Sequence, residues 1–210
     1  MIFRAPVLLL GNGPVQASAV ALARPHCEAV VAADGGGKAA LALGLAPEVV
    51  IGDMDSCPPD YQGKIIRIAE QDSTDFEKCL ATVNAPLFLG IGFLGGRLDH
   101  ELAALNALIK TPQNVVLIGQ EDLVFRLPEI TRLRLPVGTR ISTFPMGRVA
   151  GVTSSGLAWP LDGHKFSPST GISTSNRTTA PEITLTNPAQ PLLCILPREH
   201  LPATLKLFKS

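Results

Sequence analysis

The chain has no net charge: 18 Lys and Arg balance 18 Asp and Glu, and charged residues are only 17% of the total. So sparse and even a charge set gives no field for nucleic acid or an anionic membrane surface, which leaves small molecules as the expected partners. Long apolar runs are lacking too, and none reaches the roughly 18 residues that a membrane span requires. Val15 to Ala23 ends in Ala21-Leu22-Ala23 and imitates a signal-peptidase site. Gly11-Asn12-Gly13-Pro14 separates it from the short block Ala5 to Leu10, however, so no export signal is read and a soluble, cytoplasmic protein is expected. Cys27, Cys57, Cys79 and Cys194 form no Cys-x-x-Cys pair and no Cys/His cluster, which excludes a zinc finger and predicts reduced thiols. Neither common nucleotide fingerprint is complete. Gly35-Gly36-Gly37-Lys38 resembles the end of a phosphate loop, but the earlier glycine is missing and Ala39 stands where Ser or Thr would reach a metal. Gly11-Asn12-Gly13 opens like a dinucleotide motif, but Gln16 replaces its third glycine.

What the sequence does contain is a series of short, continuous apolar runs: Val7–Leu10, Ala29–Ala32, Val49–Ile51, Ile65–Ile68, Leu87–Ile91 and Val115–Ile118. Continuity without alternation predicts strands buried on both faces. Helix-like stretches lie between several of them, at Val15–Ala23, Lys38–Leu43, Asp75–Val83 and Asp99–Lys110. Residues 1–119 therefore read as an α/β domain with a doubly wound, mostly parallel sheet. Residues 120–210 change character, with short strand candidates at Leu123–Leu127, Arg132–Leu135, Arg140–Phe144, Ile183–Leu185 and Leu192–Ile195 and no long helix before Leu201. This half reads as an all-β sandwich, with Ser167–Ala180 the stretch of least certain order.

In an open α/β sheet, ligands collect beyond the carboxyl ends of the strands. Four successive loops there are acidic: Asp34-Gly35-Gly36, Gly52-Asp53-Met54-Asp55-Ser56, Asp72-Ser73-Thr74-Asp75 and Gly95-Gly96-Arg97-Leu98-Asp99-His100. Such carboxylates repel one another unless a hard cation joins them, and Mg²⁺ suits Asp53, Asp55 and one of Asp72 or Asp75. Asp53 and Asp55 share a face if their segment is extended. Lys78 and Arg97 are then phosphate ligands. Each residue also has a plainer reading. Asp75 and Asp99 suit helix N-caps, Asp34 a glycine turn, Arg97 a surface ion pair and His100 a structural role. The coincidence of four loops favours a site.

These motifs, taken in order, resemble the thiamin pyrophosphokinase family. They are Asp34–Gly36, Gly52–Ser56, Gln71-Asp72-x-Thr74-Asp75-Phe76-x-Lys78, Gly95-Gly96-Arg97-x-Asp99-His100, Ser155–Leu161 and Gly171–Asn176. The resemblance implies an α/β catalytic domain, a β-sandwich, and a homodimer with sites shared between subunits. It implies that Asp53, Asp55 and Asp75 hold Mg²⁺, that Gln71, Asp72 and Asp34 line the pocket, and that Lys78, Arg97 and Asp99 face the nucleotide and the reacting phosphates. Trp159 would stack on thiamin from the partner subunit, and Ser175 and Asn176 would supply polar contacts. The implied reaction passes the diphosphate of ATP to the hydroxyl of thiamin and releases AMP, with Asp99, or else Asp72, orienting the hydroxyl or accepting its proton. A pyrophosphokinase for another heterocyclic alcohol such as a hydroxymethylpterin, a non-catalytic thiamin-binding protein and a metal-dependent phosphohydrolase are the alternatives.

Overall fold

The apolar runs of the first half become six parallel strands: β1 (Val7–Leu10), β2 (Ala29–Ala33), β3 (Val49–Gly52), β4 (Ile65–Arg67), β5 (Phe88–Ile91) and β6 (Val115–Ile118). A computed structural model describes residues 1–59 and 61–208, and it divides the chain into two compact units, Met1–Gln120 and a second beginning at Glu121. In the first unit the strands lie in the order β6-β5-β1-β2-β3-β4. Every residue of β1, β2, β3, β5 and β6 is buried, as continuous apolar runs require. β4 departs from the expected pattern. Among the described residues it pairs only with β3, and Ile65 is 45% exposed, because an edge strand lacks the neighbour that would cover it.

Four helices accompany the sheet: α1 (Ala17–Ala23), α2 (Gly36–Ala42), α3 (Asp75–Thr82) and α4 (Leu98–Lys110). α3 packs on β2 and β3, and α2 packs on β1 and β2. Its start lies so close to β1 that a Cβ on Gly36 would stand 2.1 Å from the carbonyl oxygen of Leu10, so only glycine fits there. α3 begins with a capping box. The Thr74 hydroxyl accepts from the Glu77 amide at 3.3 Å, and the Glu77 carboxylate accepts from the Thr74 amide at 3.0 Å. An N-cap of this kind contributes about 1 kcal/mol. Thr74 takes the cap for which Asp75 was the candidate, and Asp75 becomes the first helical residue. Strand order reverses direction at β1, where β2 lies on one side and β5 on the other. Such a switch point opens a crevice beyond the strands' carboxyl ends.

The second unit holds two antiparallel sheets. β7 (Asp122–Arg126), β9 (Arg140–Pro145), β11 (Ser173–Arg177) and β13 (Leu192–Pro197) form one, in the order β11-β9-β13-β7. β10 (Thr153–Ser155), β12 (Glu182–Thr186) and β8 (Ile130–Arg134) form the other. On β8 the side chains alternate between exposed and buried, and buried Leu133 pairs with buried Ile183 of β12, the mark of a sheet with one face inward. β10 and β11 are strands that hydrophobic pattern does not predict, since both are made of Ser, Thr, Asn and Arg. Ser173–Arg177 is ordered by pairing with β9 instead, with a register shift between Ser173 and Asn176. Among the described residues, no helix is long and apolar enough to cross a membrane.

Candidate active site

A cleft of about 570 Å³ opens in the first unit, lined by residues between Gly11 and Ala104. Three carboxylates converge in it. Asp34 directly follows β2 with a φ of 40° and is 3% exposed; its Oδ2 accepts from the Ser56 amide at 2.9 Å, and its buried Oδ1 has no hydrogen-bond donor among the described residues. Asp53 follows β3, and its carboxylate accepts from Gln71 Nε2 at 3.1 Å and from the Asp55 amide at 3.2 Å. Asp75 opens α3, and its Oδ1 accepts from Lys78 Nζ at 3.3 Å. One oxygen from each of Asp34, Asp53 and Asp75 lies within 4.8 Å of the others. Gly52 leaves room for them, because a Cβ there would stand 2.8 Å from the Asp34 Cβ and 2.9 Å from Asp75 Oδ1.

The electrostatics follow from this crowding. Burial, above all, pushes the Asp34 carboxyl up from 3.8 to about 6; the neighbouring Asp55 carboxyl and the charge of Asp75 add to the shift, while the Ser56 amide opposes it. Asp53 moves the other way, held below the usual carboxylate range first by the Gln71 hydrogen bond and then by the Asp55 amide.

The structure brings together some of the expected residues and leaves others apart. Asp34, Asp53, Asp55, Gln71, Asp75 and Arg97 all line the cleft. Asp34, expected on the substrate side, joins the central trio, and Asp55 lies outside it. The Asp53–Asp55 segment is not extended, because Met54 has a φ of 72° and turns the chain between the two carboxylates. Lys78 does not reach the cleft as a free phosphate ligand. It is 4% exposed and ion-paired to Asp75, so it tempers the cluster's charge from behind. Asp99 is exposed and receives the Arg97 guanidinium at 3.1 and 2.6 Å, so Arg97 both lines the cleft and forms a surface ion pair. Arg97, not Asp99, stands at the N-cap position of α4. Asp72 is exposed in a turn that the Glu70 carboxylate holds through the Asp72 and Ser73 amides, and it does not line the cleft.

Sequence reasoning missed several lining residues, among them Asn12, Ser73, Phe93 and Glu101. Glu101 accepts from the Gly95 amide at 2.7 Å and so closes the loop that carries Arg97. Asn12 was accessible to inference. Gly11-Asn12-Gly13 follows β1 at the same sheet edge as the acidic loops, and a Cβ on Gly35 would stand 2.4 Å from the Asn12 side chain.

In the second unit, Trp159 is 57% exposed and Ser175 is exposed with a φ of 57°. Asn176 does not offer a free amide. It is 3% exposed, and its side chain accepts from the Trp159 amide at 3.2 Å and donates to the Trp159 carbonyl at 2.6 Å.

Comparison with known proteins joins the two units. Residues 21–118 match the thiamin pyrophosphokinase catalytic domain, and residues 129–190 match the thiamin pyrophosphokinase vitamin B1 binding domain. Thiamine pyrophosphokinase 3 of Oryza sativa subsp. japonica is 32% identical over 73% of this chain and 67% of its own length. Thiamine pyrophosphokinase 1 of Arabidopsis thaliana is 32% identical over 66% of this chain and 61% of its own. The fold is shared with thiamin pyrophosphokinase from Geobacillus thermodenitrificans, at a TM-score of 0.75 and 22% identity, covering 91% of this chain and 96% of that one. It is likewise shared with that from Candida albicans, at a TM-score of 0.77 and 17% identity, covering 93% and 92%. With the catalytic and the vitamin-binding segments matched in order, the chain belongs to the thiamin pyrophosphokinase family.

Proposed function

We propose that the chain transfers the diphosphate group of ATP to the hydroxyl of thiamin, giving thiamin diphosphate and AMP. The observation that carries this reading is the convergence of Asp34, Asp53 and Asp75 in a cleft that Arg97 also lines, on a chain whose second segment matches a vitamin B1 binding domain. The trio fits Mg²⁺: its donors are hard carboxylate oxygens, and the buried Asp34 Oδ1 has no hydrogen-bond donor among the described residues. Asp34, Asp53 and Asp75 would hold the ion, with Asp55 at the margin. Bound there, Mg²⁺ supplies Lewis-acid polarisation and neutralises phosphate charge.

The chain's own groups do the rest. Arg97 presents a planar fork to phosphate oxygens, and Asp99 orients it through their ion pair. The thiamin hydroxyl oxygen bonds to the β-phosphorus as the bond to the bridging oxygen of AMP breaks, and the hydroxyl proton passes to a nearby carboxylate or to solvent. Diphosphate transfer depends on position and field more than on a strong base, so no single carboxylate has to dominate. On this reading the first unit is the catalytic, nucleotide-binding domain and the second binds thiamin. The exposed indole of Trp159 offers its face to the thiazolium cation, and Ser175 offers a polar contact.

The working enzyme on this reading is a homodimer in which the second unit of each subunit serves the cleft of the other. A hydroxymethylpterin as acceptor is disfavoured by the match to a vitamin B1 binding domain, and a non-catalytic binding role by the intact carboxylate trio. Incubation with ATP, Mg²⁺ and thiamin, followed by mass analysis, should yield AMP and thiamin diphosphate in equal amounts. Inorganic phosphate with unchanged thiamin would replace this reading with a phosphohydrolase.

A further inference from the structure

Trp159 is the only tryptophan in the chain, and its exposed indole already carries a cation: the Arg177 guanidinium carbon lies 5.5 Å from the ring centre. The sequence around Arg177 explains its position. It ends β11 and pairs in register with Arg140 of β9, a like charge directly opposite. Arg140 is neutralised by Asp122, whereas Arg177 has no carboxylate partner among the described residues. A guanidinium so placed turns to the negative face of an aromatic ring.

The backbone beneath fixes the pair side by side. The Ala158 amide donates to the Arg177 carbonyl at 2.9 Å, and the buried Asn176 side chain accepts from the amide and donates to the carbonyl of Trp159. Asn176 also accepts from the Arg177 amide at 2.8 Å, so one side chain anchors both partners of the stack. The backbones are clamped, whereas the guanidinium stands on an exposed side chain of several rotatable bonds.

We propose that Arg177 is a resident competitor for the thiamin platform: its guanidinium occupies the indole face of Trp159, and a thiazolium ring binds there by exchanging one delocalised cation for another. This rests on the reading of Trp159 as the thiamin-stacking residue. Exchange moderates affinity, because thiamin gains only the difference between its own stacking and that of the arginine it displaces. Arg177 is thus a positioning and affinity-setting residue outside the phosphate chemistry.

The lone tryptophan makes the test direct, since all indole emission comes from Trp159. Thiamin is titrated into the full-length protein and its Arg177→Gln and Arg177→Lys variants while that emission is followed, and KM and kcat are measured alongside. Arg177→Gln should change the ligand-free emission and bind thiamin about two- to fivefold more tightly, the range spanned by an exposed cation–π contact. KM should fall by a similar factor and kcat should not rise. Arg177→Lys, which keeps the charge but loses the planar stack, should lie between the two. If Arg177→Gln binds thiamin equally or more weakly while thiamin still quenches Trp159, the proposal is overturned and Arg177 merely supports the indole. If thiamin leaves the emission of the parent protein unchanged, the platform reading fails and this proposal goes with it.

Discussion

Replacing Asp34 with Asn separates the energetic cost of the carboxylate trio from its chemical use. The substitution is nearly isosteric, and Asn adopts the positive φ of 40° as readily as Asp does. The Asn carbonyl can still accept from the Ser56 amide, which lies 2.9 Å from Asp34 Oδ2. What disappears is a buried charge whose carboxyl is pushed up from 3.8 to about 6. Between those values the folded protein binds more protons than the unfolded chain, so this group lowers stability as pH rises through the window. Integrating the shift gives a ceiling of about 3 kcal/mol of destabilisation at pH 7.5 and roughly half of that at pH 5. Solvent in the cleft reduces both figures without reversing their order. Urea unfolding in EDTA should therefore find Asp34→Asn more stable than the parent at pH 7.5, with a smaller gap at pH 5. Saturating Mg²⁺ should stabilise the parent more than the variant, and turnover should fall on the order of 10²-fold, the usual cost of losing one preorganised charge contact. A variant no more stable than the parent at pH 7.5, or a gap independent of pH, would refute the reasoning.

Gly52→Ala should abolish turnover while the protein stays folded, because its Cβ would intrude between Asp34 and Asp75; near-normal activity would show that the trio does not need this spacing. Arg97→Lys retains the charge but loses the fork that Asp99 orients, so turnover should still fall; full replacement by Lys, checked in steady-state assays on folded protein, would reduce Arg97 to a source of field. Mixing Trp159→Ala and Asp53→Asn chains tests the shared site, because Asp53 belongs to the central trio. Subunit exchange should restore activity, since one of the two sites in a mixed dimer carries neither lesion, and confirmed mixed dimers without recovery would assign both residues to one chain's site.

Much of the first unit was legible because burial on both faces leaves a strong trace in sequence: β1, β2, β3, β5 and β6 all read as continuous apolar runs. β4 was legible as a strand but not as an edge, since Ile65-Ile66 looks the same whether or not another strand covers it. The polar strands β10 and β11 left no such trace. Ser173–Arg177 is a strand because β9 offers a ladder, and only pairing across some thirty residues of chain reveals that.

For the site, sequence alone determined that acidic loops follow successive strands, and hence that carboxylates gather at one edge of a parallel sheet; chain direction and strand burial are enough for that. Tertiary structure decided which of them meet. The turn at Met54 separates Asp55 from Asp53, the left-handed Asp34 swings into the trio, and the Thr74 cap frees Asp75 to face the cleft. It decided too that Lys78 is buried behind the cluster, that Asn176 is a clamp and that Arg177 rests on Trp159. Residue spacing fixes which loop a side chain stands on. Its direction depends on single φ angles and on contacts with distant residues, and neither is written in local spacing.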